Sequence, residues 1–356
     1  MNVCVLGSGL TSLTLAKTLV NQGISVDIFS TKNNFKNDFN RTLGISKVNL
    51  EFFNKEILNI QKFVWDIKKI EILSENLNFE KILDFENNNE PLFSMVKNDD
   101  LINFLLRKLK KEKLCNFKKS PIKINIIKRK YDLIFNCEYS NPITKKFFFK
   151  QIRKDYNSVA YISVIKHSKT KNNQAVQIFT KRGPLAFLPL SETETSIVYS
   201  IKGLKKINLK DLISEYNKFY KIKNISNPSK LKLNLSNLRM YYYKNILAFG
   251  DLLHTIHPLA GQGFNMILRD IKEIISLVKS KKKNGLALDT SICIDFEKKT
   301  KNRNYLFSNG IDLIYEFFNF EKKINNTALS KSVKYLGKNR NINKIFTKIA
   351  DNGIIF

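Results

Sequence analysis

The sequence predicts an α/β protein with a parallel sheet covered by helices, an inserted domain built on an antiparallel sheet, and a helical C-terminal region. Three observations lead there. A strand, a glycine turn, a helix and a second strand occupy residues 2–30. Extended runs with polar or Gly/Pro breaks fill about 157–201. An apolar strand running into a glycine-rich helix start then appears between Ile246 and Gly263, and helical periodicity dominates from there onward.

In order, Val3-Cys4-Val5-Leu6 forms the first strand, Gly7-Ser8-Gly9 the turn, and Leu10 to Gly23 a helix with Leu10, Leu13, Leu15, Ala16, Leu19 and Val20 as its apolar positions. Ile24 to Phe29 is the second strand, and both strands are apolar enough for a parallel sheet buried on two faces. Asp99 to Lys113 reads as an amphipathic helix, with Leu101, Phe104, Leu105 and Leu109 opposite a basic side. Tyr131 to Cys137 is a further buried strand, and Val159–Ile165, Ala175–Phe179 and Ser196–Ile201 supply the second domain's sheet. The first domain is therefore discontinuous, over 1–60, 95–150 and 240–285, with the sheet domain at 61–94 and 151–239 and the helical region at 286–356.

With 356 residues, 43% of them hydrophobic, the chain exceeds the roughly 250–300 residues at which one core stops growing. Its net charge of +30, from 61 Lys+Arg against 31 Asp+Glu, is spread through loops such as Lys32-Asn33-Asn34 and Lys281-Lys282-Lys283-Asn284. That spread marks a compositional bias, and no nucleic-acid partner is expected. Cys4, Cys115, Cys137 and Cys293 lack metal-ligand spacing and read as buried thiols, so no metal site is expected. Met1 to Leu6 run straight into the glycine turn without a leader pattern, and no window reaches the ~20 apolar residues of a spanning helix. A cytoplasmic location is the expectation, with any membrane contact peripheral.

Gly7-Ser8-Gly9-Leu10-Thr11-Ser12 makes the first unit Rossmann-like. Two glycines allow a sharp turn and close approach to a pyrophosphate, and the following helix aims its N–H groups and dipole at that anion. Ser12 replaces the usual third glycine, and Ser30 stands where an acid usually holds a ribose hydroxyl. The second motif runs Gly250-Asp251-Leu252-Leu253-His254-Thr255-Ile256-His257-Pro258-Leu259-Ala260-Gly261-Gln262-Gly263-Phe264-Asn265. Each piece has a plain structural reading: an ordinary βα turn, Asp251 as a helix N-cap, Pro258 as a turn residue, Gly261 and Gly263 as loop punctuation. Their joint occurrence after a buried strand, in a chain opening on a dinucleotide turn, points to a site. His254 and His257 have no neighbouring carboxylate or cysteine in the sequence, which argues against zinc; His257 reads as site-lining only.

On these motifs the chain resembles the aromatic-ring FAD-dependent monooxygenases and, within them, the ubiquinone-biosynthesis (2-octaprenyl-6-methoxyphenol) hydroxylase family. The resemblance spans nearly the whole chain. It includes Asn40-Arg41-Thr42 after the second strand, Gly183-Pro184-Leu185-Ala186-Phe187-Leu188-Pro189-Leu190 in the sheet domain, and Arg269-Asp270 after the late motif. It implies a Rossmann-like FAD-binding domain, with Gly7, Gly9 and Ser12 at the pyrophosphate and Asp251 on ribityl or ribose hydroxyls. Pro258 would lie beside the flavin ring, and Gly261, Gln262 and Gly263 at its pyrimidine end. Asn265 would support the loop, and Arg41 would reach a phosphate or the ring edge. No catalytic residue is assigned. One family segment departs: Asn136-Cys137-Glu138-Tyr139-Ser140-Asn141 keeps an acid but loses both glycines of the usual Gly-Ala-Asp-Gly, which bears on reduction by nicotinamide.

The reaction implied by the resemblance is hydroxylation of a prenylated phenol, a quinone precursor, with NAD(P)H reducing FAD and O2 forming a flavin C4a-hydroperoxide that transfers oxygen to the ring. Basic amphipathic stretches at Ile311–Lys323 and Lys331–Lys348 suit contact with the inner face of an anionic membrane, or equally a solvated helix face. Two alternatives stay open. One is another flavin oxidoreductase on the same scaffold, although a halogenase would carry Trp-x-Trp-x-Ile where Trp65 is followed by Asp66-Ile67. The other is a degenerate flavoprotein serving as a subunit of a quinone-biosynthesis complex.

Overall fold

The computed structural model describes residues 1–30, 41–87, 89–118, 130–203, 208–258, 261–323, 331 and 335. The Lys32–Asn34 loop, Asn40, Leu259, Ala260 and nearly all of the 331–348 stretch lie outside the described residues.

The fold is α/β, as the sequence predicts. Six strands form the first sheet in the order Tyr242–Tyr243, Ile246–Ala248, Leu133–Asn136, Asn2–Leu6, Ser25–Phe29, Cys115–Lys118. Every neighbouring pair is parallel except the hairpin formed by the first two. Val3, Cys4, Val5 and Leu6 are completely buried, which is why this strand reads as an unbroken apolar run. The one acid of the neighbouring strand, Asp27, is matched by Asn116, Lys118 and the Tyr131 hydroxyl. Helix Leu10–Asn21 covers this sheet through Leu13, Leu15, Ala16 and Leu19. Helix Asn98–Leu109 ends four residues short of the expected Lys113. Its apolar positions stop at Leu109, and i→i+3 bonds from Lys111 and Glu112 close the last turn.

The second sheet has nine strands. His254–Thr255, Ser229–Leu238, Gln151–His167, Glu194–Lys202, Gly183–Pro189, Gln174–Thr180, Lys69–Ser74 and Glu80–Glu86 follow one another, and Ile222–Ile225 pairs with the far end of Gln151–His167. It is antiparallel apart from one parallel pair, Gln174–Thr180 with Lys69–Ser74. A bulge between Asp155 and Ser158 turns Tyr156 out of the ladder. A three-stranded sheet, Thr42–Ser46, Phe93–Lys97 and Val64–Ile67, straddles the boundaries expected near 60 and 94.

Helices Gln262–Lys283 and Ser291–Lys323 complete the described chain. The second runs back to the nine-stranded sheet, where Tyr315 joins a buried cluster with Tyr156, Ala160, Leu233 and Leu235. No helix among the described residues is long and apolar enough to cross a membrane.

Candidate functional site

The first glycine turn is built by close approach. Gly7 has φ +117°, its N–H donates to the Phe29 carbonyl at 2.8 Å, and a Cβ there would sit 2.9 Å from Ser12 Oγ. Glycine is therefore required. Ser12 is buried under the turn against the Cys137 thiol, whose pKa burial pushes up to about 12. Gly9 caps helix Leu10–Asn21 with an extended backbone and no side-chain hydrogen bond, and the first turn carries no acid. A Cβ added at Gly9 would meet nothing within 4 Å, so open space borders the uncapped N–H groups. Ser30 Oγ donates to Ser8 Oγ at 2.9 Å, closing the rim of the turn where an acid usually stands.

The late motif is seated directly on this turn. Gly250 has φ +71°, and a Cβ there would strike the Thr11 methyl at 2.5 Å, so the Gly250–Leu252 turn packs against the first turn of Leu10–Asn21. Asp251 is exposed, and its carbonyl accepts from the Tyr139 hydroxyl and from Thr255 Oγ1, both at 3.0 Å. The altered segment thus lies across the same junction, with the Cβ atoms of Cys137 and Glu138 3.6 and 3.7 Å from the place a Gly7 Cβ would occupy. Asn141 caps the short helix Pro142–Phe147 and holds this segment in place.

A second uncapped helix start follows. Half-buried Pro258 accepts from the Gly261 N–H at 3.3 Å, and Gly261, at φ +62°, begins Gln262–Lys283 without a side-chain cap or a first-turn acid. Gln262 is buried, while Gly263 borders open space. Asn265 ties this start to strand Thr42–Ser46: its Oδ1 accepts from Ser46 N–H at 2.9 Å and Asn49 Nδ2 at 3.0 Å, and its Nδ2 donates to the Gly44 carbonyl at 2.9 Å. Arg41, exposed, immediately precedes that strand. The fold therefore gathers Gly7, Gly9, Ser12 and Asp251 at one junction, and Pro258, Gly261, Gln262, Gly263 and Asn265 beside the strand that follows Arg41.

The histidines depart from the sequence reading. His254 does have a carboxylate: its Nε2 lies 2.7 Å from Asp270 Oδ2, both side chains are buried, and Asp270 Oδ1 accepts from Asn304 Nδ2 at 2.9 Å. The partner is 16 residues away, on the next helix, so local spacing could not reveal it. Arg269-Asp270 was the only trace of it. His257 is enclosed by Tyr156 and Tyr315, and burial holds its pKa down at about 3, leaving the imidazole neutral.

No family model matches the chain. Among curated proteins it is similar to 3-demethoxyubiquinol 3-hydroxylase of Escherichia coli, with 30% identity over 159 residues, 40% of this chain and 39% of the relative. It is also similar to ubiquinone biosynthesis monooxygenase COQ6 of Danio rerio, 23% identical over 212 residues, 47% of this chain and 44% of the relative. A third relative is ubiquinone hydroxylase UbiL of Rhodospirillum rubrum, 24% identical over 141 residues, 37% of this chain and 33% of the relative. The matches span less than half the length of each of these relatives. The curated homologues are thus ubiquinone-biosynthesis hydroxylases, the family that the motifs resemble. Among solved structures, p-nitrophenol 4-monooxygenase PnpA from Pseudomonas putida aligns with TM-score 0.78 at 10% identity, covering 99% of this chain and 98% of that one. Klebsiella pneumoniae HpxO complexed with FAD and uric acid aligns with TM-score 0.75 at 12% identity, covering 99% and 96%. The shared fold extends over nearly the whole chain.

Proposed function

We propose that this chain is an FAD-dependent monooxygenase that hydroxylates the aromatic ring of a prenylated phenol in ubiquinone biosynthesis, with NAD(P)H as reductant and O2 as co-substrate. The observation that carries the reading is the pair of uncapped, acid-free helix starts at Gly9 and Gly261, in a chain whose homologues are ubiquinone hydroxylases. Each presents unsatisfied N–H groups and the positive end of a helix dipole, and Gly9 and Gly263 border open space, as an extended dinucleotide with two electron-rich regions requires.

The residues present fit FAD. Gly7, Gly9 and Ser12 would hold the pyrophosphate, Asp251 the ribityl or ribose hydroxyls, and Arg41 a phosphate or the ring edge. Pro258 and Gly261 to Gly263 would border the pyrimidine end. When bound, FAD supplies activation of O2 and oxygen transfer to an aromatic carbon. The chain's own part is to fix the ring's position and keep water out. Asn265 anchors the loop, and the helix start at Gln262 favours negative charge beside it.

A prenylated substrate resides in a membrane, and exposed Leu306, Leu313 and Phe320, seven residues apart along Ser291–Lys323, support peripheral contact with one. The second reading, a flavoprotein fold acting as a subunit of a quinone-biosynthesis complex, is favoured by one observation. Tyr139, in the segment that departs from the Gly-Ala-Asp-Gly pattern of the resembled family, donates to the Asp251 carbonyl.

Purified protein loaded with FAD is expected to be yellow, to oxidise NAD(P)H faster when a short-chain prenylphenol is added, and to place isotopically labelled oxygen from O2 in the ring. A colourless protein that cannot be reconstituted with FAD sinks the enzyme. Flavin binding without substrate-stimulated turnover favours the subunit reading.

A further inference from the structure

His257 lies one residue before Pro258, on the loop that leaves the nine-stranded sheet at Thr255 and reaches the helix at Gly261. Two elements distant in sequence wall it in. Tyr315 stacks on it with ring centroids 4.2 Å apart and planes 27° apart, and Tyr156 meets it edge-on at 5.3 Å and 80°. The two tyrosines touch each other at 4.9 Å. Within this aromatic enclosure both His257 nitrogens and the Tyr156 hydroxyl are buried without a hydrogen-bond partner. Both side-chain atoms of Asn237, on the strand that pairs with His254–Thr255, are in the same condition. Burial first, and then the neighbouring Asp312 carboxylate, raise the Tyr156 pKa, and Tyr315 is already engaged at 3.1 Å with Ser158 Oγ.

Buried polar atoms are almost always paired, so a cluster left unpaired in a native protein calls for a partner or a functional role. The chemistry here selects among ligands. A neutral imidazole offers one donor and one acceptor, and a tyrosine hydroxyl offers both. The aromatic surroundings, in which His257 and Tyr315 cover one another's facing surfaces, favour an aromatic guest at their edges. A carboxylate or phosphate would find Lys154 already spent on Asp312 and Glu316. A phenol matches: an aromatic ring whose one hydroxyl both donates and accepts.

We infer that His257 and Tyr156 recognise the hydroxyl of the phenolic substrate, with the unprotonated His257 nitrogen accepting its hydrogen bond and the Tyr156 hydroxyl donating to its oxygen. Tyr315, stacked on the imidazole, orients it. The edge-on His257–Tyr156 contact joins two separate elements and is the one that the entering hydroxyl parts. This inference rests on the proposed function, because the phenol must lie beside Pro258 for its ring to be oxygenated.

The test is calorimetric titration of a short-chain prenylphenol and of its O-methyl ether into FAD-loaded and cofactor-free protein. The ether cannot donate, so the wild type is expected to prefer the phenol by about tenfold, the worth of one buried hydrogen bond. His257→Phe should bring the two affinities together without weakening the ether, whereas Tyr156→Phe, which removes the donor to an oxygen that both ligands carry, should weaken phenol and ether alike. Tyr156→Phe removes a single oxygen and keeps the enclosure filled should His257→Phe fail to fold. FAD uptake, followed by absorbance in the same samples, separates the two readings. Discrimination that survives in a protein unable to take up FAD refutes the cofactor assignment and supports this one. A flavin-loaded protein whose preference is absent or survives in His257→Phe, or whose two affinities are unchanged in Tyr156→Phe, overturns it.

Discussion

Asn265→Ala tests how the late motif is held. In strand Thr42–Ser46 the Arg41 carbonyl is used by Asn98 N–H on the Phe93–Lys97 side, so by the alternation of an antiparallel ladder Gly44 C=O and Ser46 N–H face the other way. Asn265 is the partner that meets them, at 2.9 Å each, and it also binds Asn49 at 3.0 Å. Three such bonds at about 1 kcal/mol net, plus the cost of leaving buried backbone groups unpaired, bring the loss to about 3–5 kcal/mol. At roughly 2 °C per kcal/mol for a chain this large, the melting temperature should fall by about 6–10 °C. Asn265→Asp should lose a comparable amount, because an oxygen then faces the Gly44 carbonyl. Urea denaturation followed by circular dichroism reads the stability, and FAD titration reads the loop. Adding Asn49→Ala should be less than additive, because the two side chains share a hydrogen bond. A change below about 0.5 kcal/mol at constant denaturant slope, with unaltered FAD affinity, refutes the anchoring role.

Three further outcomes follow from the geometry. His257 is held neutral at a pKa near 3, below the roughly 6.5 of an unfolded histidine, so the unfolded chain alone gains a proton in that interval and stability drops as pH falls, by about 2 kcal/mol at pH 5. His257→Gln should remove that component of the difference between pH 7 and pH 5 urea titrations, and superimposable profiles contradict it. Asp270→Asn leaves buried His254 without its carboxylate and should cost about 3 kcal/mol by the same method; a loss within error would show the pair to be dispensable. The two first-turn glycines should separate folding from binding. Gly7→Ala, at φ +117° against Ser12, should destabilise by about 1–3 kcal/mol. Gly9→Ala, at φ −77° with open space beside it, should leave stability within about 0.5 kcal/mol yet weaken FAD binding by about tenfold, and unchanged FAD affinity would remove Gly9 from the site.

Local physics was enough to read the glycine turns, the buried parallel strands and the helix starts. A strand buried on both faces must be apolar along its whole length, and a positive φ or a close approach calls for glycine wherever it occurs. Both requirements are written within a few neighbouring residues, as at Val3 to Gly9 and Ile246 to Gly263. The pairings that bring those pieces together are not. Asn265 meets Ser46 across 219 residues, Tyr315 meets Ser158 across 157, and Asp270 reaches His254 through the packing of a helix on a short strand. Nor could periodicity foresee that Lys69–Ser74 would add to the sheet in parallel, or that Val64–Ile67 would leave it for a separate three-stranded one. A hydrogen-bond partner is chosen by whichever buried group the folded chain brings within about 3 Å, and that proximity exists only once sheets and helices have packed. The same packing turned His257 from a motif residue beside Pro258 into a neutral imidazole enclosed by two tyrosines, with neither nitrogen hydrogen-bonded.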